Sequence, residues 1–281
     1  MRDHRSEFSV ERMAKVLDVS KSGFYAWLAR PESPRAKAQR LLDARVRAAF
    51  QAHKARYGST KIARYLAGQG YPCSRTRVAR SMRRQGLRSK VARKFRVTTD
   101  SNHTLAASPN LLDRNFDIGQ PNKVWASDIT YLPSKSGWLY LAVFIDLFSR
   151  RIVGWCVSTS LRHEMVLHAL SRAVAARRPP QGLMIHSDRG IQYCCEGFRE
   201  KIAEYGFVQS MSRKGNCWDN AVSESLFRSL KTEWAYHIDL DDLGHAQREL
   251  FEYIEAFYNN QRLHATLGYL SPAAFELRDV A

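Results

Sequence analysis

Cysteine is scarce and poorly placed for chemistry. Cys73, Cys156, Cys194, Cys195 and Cys217 are odd in number and form no C-x-x-C pair, which argues against both a disulfide framework and a zinc module. They read as reduced packing residues. Long apolar runs are missing too. The longest, Leu139 to Ile145, stops at Asp146, far short of the ~20 residues a membrane-spanning helix needs. The N-terminal stretch holding Asp3, Arg5, Glu7, Glu11 and Arg12 lacks the apolar centre of a signal peptide, so a cytoplasmic protein with no membrane partner is expected. The most informative absence is acidic. From Ala44 to Thr99 there are 16 Lys and Arg and no Asp or Glu. Residues 1 to 120 carry 26 basic against 9 acidic side chains and residues 121 to 281 carry 18 of each, so the whole net charge of +17 lies in the first part of the chain. Such asymmetry points to a polyanionic partner gripped there.

What is present suits more than one domain: 281 residues, 44% of them hydrophobic, suffice for two cores. Ser9 is placed to cap a helix bearing Met13, Val16 and Leu17, and Ser20 a second bearing Phe24, Trp27 and Leu28; the Asp18-Val19 turn between them reads as a helix-turn-helix over residues 1 to 33. A second basic, helix-turn-helix-like region is expected over residues 34 to 91. After a Pro31 to Pro34 linker it has Leu42, Val46, Ala49 and Phe50 at helical spacing, then a helix capped by Ser59 with Ile62, Tyr65 and Leu66. A third helix starts at Ser74 and ends at Gly86. Its Val78, Ala79 and Met82 face inward and Arg77, Arg80 and Arg84 line an outer face, a surface for reading a major groove or gripping phosphates. Residues 92 to 121 lose periodicity and are read as the connection.

From residue 122 to 281 the period changes. Val124 to Tyr131, Trp138 to Asp146 and Arg151 to Val157 read as three meandering strands. A helix from Leu161 to Ala176, a buried strand from Leu183 to Ser187, a helix from Glu196 to Tyr205 and a strand from Phe207 to Met211 follow, giving an α/β domain with a mixed sheet. Asp128 interrupts the first strand, where a carboxylate without a partner is costly. Asp188 follows the apolar strand Leu183-Met184-Ile185-His186, at a carboxyl end where α/β sites form. In the helix from Asp219 onward, Asn220, Glu224, Phe227 and Lys231 share one face. Three converging carboxylates repel one another unless cations lie between them. Two divalent ions, Mg²⁺ or Mn²⁺, would suit such a set and support in-line phosphodiester displacement.

At this point the chain resembles a known family. Asp188 and Glu224 are separated by 35 residues and Lys231 lies seven beyond the glutamate, similar to the Asp-Asp-Glu signature of retroviral integrases and of the bacterial insertion-sequence transposases of the IS-three family. The likeness takes in Trp125 to Tyr131, Ile145 to Arg150, His186 to Gly190, Asp219-Asn220-Ala221, Tyr258 to His264 and Leu267 to Pro272. It implies a ribonuclease-H-like catalytic domain behind all-α helix-turn-helix regions, and a DNA transposase that cleaves element ends and transfers strands. It further implies Asp128, Asp188 and Glu224 as catalytic metal ligands, Lys231 as a contact to the element's terminal DNA, and a homo-oligomer on terminal repeats and target DNA, in bacterial, nucleoid-associated surroundings. Two features of the family are missing: there is no heptad segment long enough for a leucine zipper, and residues 1 to 50 lack the zinc-binding His and Cys set of retroviral integrases. The first implies that the chain corresponds to the downstream product of a frameshifted fusion.

Other residues compete for roles. Asp146 reads as the cap of the turn after its strand and Asp219 as the N-cap of the Glu224 helix. His186 is balanced between substrate contact and core packing, and Arg262 and His264 between DNA contact and packing on the sheet. The alternative activities are a non-catalytic DNA-binding regulator derived from a transposase and a nuclease that only hydrolyses. The intact set of three acids and Lys231 argues against the first.

Overall fold

A computed structural model describes residues 1–90, 108–213 and 217–278, the side chains of 217 and 218 excepted. Five helices come first: α1 (Val10–Val16), α2 (Lys21–Ala29), α3 (Pro34–Ala52), α4 (Ser59–Gly68) and α5 (Arg75–Arg84). Ser9, Ser20, Ser33 and Ser74 each accept a backbone N–H three residues on, capping α1, α2, α3 and α5. Pro34 is therefore the first residue of α3 rather than part of a linker, a position where its fixed φ costs nothing. Ser59 is not a cap; Gly58 takes that place in extended backbone and provides no side-chain bond.

The apolar faces of α3, α4 and α5 meet through Leu42, Val46, Phe50, Ile62, Leu66, Val78 and Met82, all buried. Ala79 is only half-buried. Ser81 is buried instead, because it donates to Asp43 of α3.

The second half is built on one five-stranded sheet of β1 (Val124–Ser134), β2 (Gly137–Asp146), β3 (Ile152–Ser158), β4 (Met184–Ser187) and β5 (Val208–Met211), in the order β3-β2-β1-β4-β5. The first three form an antiparallel meander, and β4 and β5 add parallel to it. Between β3 and β4 runs α6 (His163–Arg177); α7 (Ile191–Cys194) and α8 (Glu196–Glu204) lead to β5. After it come α9 (Ala221–Glu233), α10 (Leu243–Phe251) continued by a π-helical stretch Glu252–Asn259, and α11 (Pro272–Arg278). The mixed sheet is the one the strand pattern predicted, and its order and helices fit the ribonuclease-H-like arrangement that the family resemblance implied.

Alternation along β1 decides what each face of the sheet carries. Trp125 packs with α6 and α8 on one side, while Leu132 joins the core shared with α9, α10 and the π-helical stretch on the other. Gly154 in β3 lets α6 lie directly on the sheet, since a Cβ there would stand 2.4 Å from the carbonyl oxygen of Ala169.

Two boundaries differ from the sequence reading. Of the connection placed at 92 to 121, residues 92–107 lie outside the described residues, but the rest is part of the fold. Leu111 N–H donates to Ser210, Met211 N–H to the carbonyl of Pro109, and Leu112 is buried against Val124, Ala126 and Leu147. Nor are the halves separate bodies: the core of α3, α4 and α5 is continuous with that of the C-terminal helices. Tyr57 OH donates to the carbonyl of Gln261 at 3.1 Å and accepts the Leu263 N–H at 3.0 Å.

Candidate active site

The sheet register brings the first two acids together. In the parallel pair β1–β4, Ser127 lies opposite Ser187; one residue further along each chain stand Asp128 and Asp188, on strands whose spacing is roughly 4.8 Å. Even positions of β1 face α9, so Asp128 looks toward that helix. Asn220, immediately before α9, donates its Nδ2–H to Asp128 Oδ2 at 2.9 Å. Glu224 lies one turn on along the same face and Lys231 two turns beyond that.

Electrostatics record the same convergence. Burial pushes the Asp128 carboxyl well above the usual carboxylate range, and the neighbouring Asp188 and Glu224 push it further. Burial lowers the Lys231 ammonium pKa, and Asp128 opposes that shift. Burial also raises the Glu224 carboxyl, against the pull of Arg228.

The acids do not yet form a chelate. Among the described residues no group of three or more His, Cys, Asp or Glu side chains is gathered to hold a metal ion. Each aspartate turns to a local donor instead: Asp128 Oδ1 accepts the Ile129 N–H at 2.7 Å and Asp188 Oδ1 the Gly190 N–H at 2.9 Å. The donor set nonetheless fits a hard divalent ion in kind, because all three groups offer carboxylate oxygens. Asn220 Oδ1 is buried beside them with no hydrogen-bond partner among the described residues.

Two further residues support the site, and the sequence reading assigned neither its contact. Tyr193 of α7 is wholly buried, and its OH bonds to Ser127 at 2.9 Å, beneath the aspartates. Burial raises its phenol pKa, and Asp128 and Asp188 add to the rise. Asn220 was placed on the Glu224 face, but nothing in the spacing named Asp128 as its partner.

The competing residues resolve as structural. Asp146 accepts the N–H groups of Phe148 at 2.9 Å and Asn122 at 2.8 Å, so it holds the β2–β3 turn as expected. Asp219 is not an N-cap, since α9 begins at Ala221 after Asn220. It is a buried anchor instead. Arg213 grips it through Nε, Nη2 and the backbone N–H, and Arg114 and Asn110 complete its shell. The Arg213 hydrogen bond holds its pKa far below the carboxylate range. These bonds fix where α9 starts, and hence where Glu224 sits. His186 is packing: Nε2 donates to the carbonyl of Asp219 at 3.0 Å, which leaves Nδ1 to accept from Ser210 at 2.9 Å.

Arg77, Arg80 and Arg84 are not brought to the carboxylates; they lie on α5 in the helical half. All three are exposed, but Arg84 pairs with Asp43 at 2.8 Å, so the three are not equivalent.

Comparisons with known proteins found family models and relatives along most of the chain. Residues 119–217 match the model of an integrase core domain, 205–272 a second integrase core domain model, and 36–95 an HTH-like domain. The chain is 41% identical over 280 residues to the transposase InsF for insertion sequence IS3A of Escherichia coli (strain K12), covering 99% of this chain and 97% of that protein. It is 41% identical over 263 residues to an uncharacterized 31 kDa protein of insertion element IS600 from Shigella sonnei, covering 94% and 97%. Among solved structures, the catalytic core domain of HTLV-2 integrase in complex with magnesium aligns at 16% identity and a TM-score of 0.43, over 56% of this chain and 98% of that one. A simian T-cell lymphotropic virus intasome in complex with a PP2A regulatory subunit aligns at 17% identity and a TM-score of 0.48, over 63% and 60%.

Proposed function

Because the chain belongs to the IS3 family of insertion-sequence transposases, with an integrase core domain, we propose that it binds the ends of its element and catalyses strand cleavage and strand transfer at Asp128, Asp188 and Glu224. The supporting observation is the parallel β1–β4 register, which sets the two aspartates side by side under the α9 face carrying Glu224 and Lys231. The three carboxylates would hold two divalent ions, Mg²⁺ or Mn²⁺, which when bound polarise the phosphodiester and activate the attacking oxygen. Asn220 fixes the rotamer of Asp128, Tyr193 braces the strand from below through Ser127, and Lys231 neutralises the phosphate of the strand end beside the acids. Cutting and joining both ends of an element engages two such sites, so the working form is a homo-oligomer on terminal repeats and target DNA.

The test is strand joining. A duplex with the terminal sequence from the gene's own flanks and a free 3′-hydroxyl, incubated with supercoiled target and Mg²⁺, is expected to give joined products. Release of short oligonucleotides with no joining would replace this reading by a hydrolytic nuclease, and binding without either reaction by a regulator.

End recognition falls to the helical half, where Arg77 and Arg80 are placed for phosphate or groove contact. Replacing both by Ala is expected to lower DNA affinity and to reduce the log-log salt slope by roughly 0.9 for each phosphate that is no longer neutralised. Arg84→Ala should instead lower the thermal midpoint with little change of slope, because its guanidinium is held by Asp43. An Arg84→Ala slope loss half that of the double variant would show that the charge count alone matters.

A further inference from the structure

The residues of two sequence motifs that the carboxylate chemistry leaves unused meet on the other side of α9. Here Lys61 of α4, Arg150 of the β2–β3 turn and Arg262 of the C-terminal tail line a cavity of about 410 Å³, with Ser225 and Ser229 of α9 on its wall. No acid lines it. Ala265 and Thr266 at its mouth are exposed.

The three cations differ in how far the fold satisfies them. Arg262 is fully engaged: it bonds Glu233 through Nε and Nη2, Ser229 through Nη2 and His264 through Nη1. Lys61 has a 3.8 Å approach to that same Glu233 and lies 5.1 Å from the centre of the Tyr57 ring. Arg150 has no ion pair among the described residues. Its Nη2 donates to the carbonyl of Phe116 at 3.0 Å and its Nη1 is buried with no partner among the described residues. Two acids lie near enough to act on it, but Asp117 is exposed to solvent, Asp146 is taken by the N–H groups of Asn122 and Phe148, and among the described residues neither forms an ion pair with it.

Placing that guanidinium there also costs backbone strain, for Arg150 sits at φ 60°, a left-handed conformation uncommon outside glycine. Turn geometry alone would be met more cheaply by Gly or Asn. The cavity's positive potential shows at His264, whose imidazole burial holds far below its usual pKa, with Arg262, Lys61 and Arg150 lowering it further. An excess of buried cation over acid, with an unused donor, calls for an anion.

We infer that this cleft is a phosphate site that takes a backbone phosphodiester of the bound DNA, held between Lys61 of the helical half and Arg150 of the catalytic half. It rests on the DNA-processing reading above and adds a grip that reading lacks. A phosphate there is bound jointly by both halves, against the helix whose opposite face carries Glu224, so end binding and active-site alignment are tied through one rigid element.

The experiment uses the full chain and a fluorescent duplex of the element's terminal sequence, titrated without divalent ions across a salt series. Arg150→Gln and Lys61→Gln are each expected to reduce the log-log salt slope by roughly 0.9 and to weaken binding about tenfold near 0.1 M salt, with the double variant losing about twice the slope. Thr266→Glu, at an exposed position on the mouth, places an acid in the path without touching the core and is expected to weaken binding at least about threefold by repulsion. Wild-type slope and affinity in folded Arg150→Gln and Thr266→Glu proteins would overturn the inference. So would inorganic phosphate raising the wild-type thermal midpoint, and not that of Arg150→Gln, while DNA slopes stay equal, since the site would then serve a free anion. A wild-type protein that binds DNA but joins no ends would instead remove the transposase activity and leave the cleft standing, because the titration contains no divalent ion.

Discussion

Asp128→Asn, Asp188→Asn and Glu224→Gln are each expected to lower strand joining by on the order of 10³-fold or more, while DNA binding without divalent ions stays within about threefold of wild type. Each change keeps the side chain's size and removes the anionic oxygen a hard cation requires. Groups that act as one unit are non-additive on removal, so double variants should be no worse than the singles.

Stability moves the other way for Asp128. Its folded-state carboxyl is raised by burial, then by Asp188 and Glu224, so above the unfolded-state pKa the ionised form opposes folding, and the amide removes that opposition. Asn220, whose Oδ1 has no other partner among the described residues, can turn its amide to accept from the new Nδ2–H, so Asp128→Asn should melt at or above the wild-type temperature while joining nothing. Asp146→Asn is the contrast, because its amide cannot accept both turn N–H groups; it should lose stability and keep the activity of its folded fraction. A soluble, DNA-binding Glu224→Gln protein that joined ends near the wild-type rate would remove α9 from the active site.

The second large effect is structural. Glu233→Gln is expected to destabilise the fold by about 3–5 kcal/mol, because it leaves Arg262 charged in the interior with its bidentate partner gone. Lys61 and Tyr253 also lose an acceptor or counter-charge. The exposed pair Lys54–Glu252 joins the same two regions, and breaking it should cost under about 1 kcal/mol. Urea denaturation of both variants measures the difference, and a Glu233→Gln midpoint equal to that of Glu252→Gln would show that the buried pair holds nothing.

The wild-type chain should also lose stability on acidification. His53, His186 and His264 are buried with pKa values lowered chiefly by burial, so the unfolded chain binds protons that the folded one does not. Stability is expected to fall as the pH drops below about 6.5, the reference value for histidine. Glu233, its folded pKa lowered by Arg262 against the opposing effect of burial, adds a further loss once the pH falls through the carboxylate range.

Much of this molecule was legible in the residue order because the relevant physics is local. Period-two runs and hairpin turns located all three meander strands to within three residues at either end, and serines three residues before a backbone N–H announced the caps of α1, α2 and α5. Composition alone put the whole net positive charge in the first 120 residues, since charge needs no fold to be counted. The spacing of Asp188, Glu224 and Lys231 carried the family resemblance that implied the three acids. Their faces followed from helix and strand periods.

Only tertiary structure decided the rest, because it depends on contacts between distant positions. The β1–β4 register puts residues 128 and 188 side by side, and no local pattern encodes how two parallel strands slide. Asp219 looked like a cap until Arg114, 105 residues away, and Arg213 closed on it. Arg84 shared a face with Arg77 and Arg80 until Asp43, 41 residues back, claimed it. Lys61, Arg150 and Arg262 share a cleft because α4, a strand turn and the tail converge on α9. Helix and strand periods say which side of an element a residue faces. What stands opposite it is set by how the elements pack.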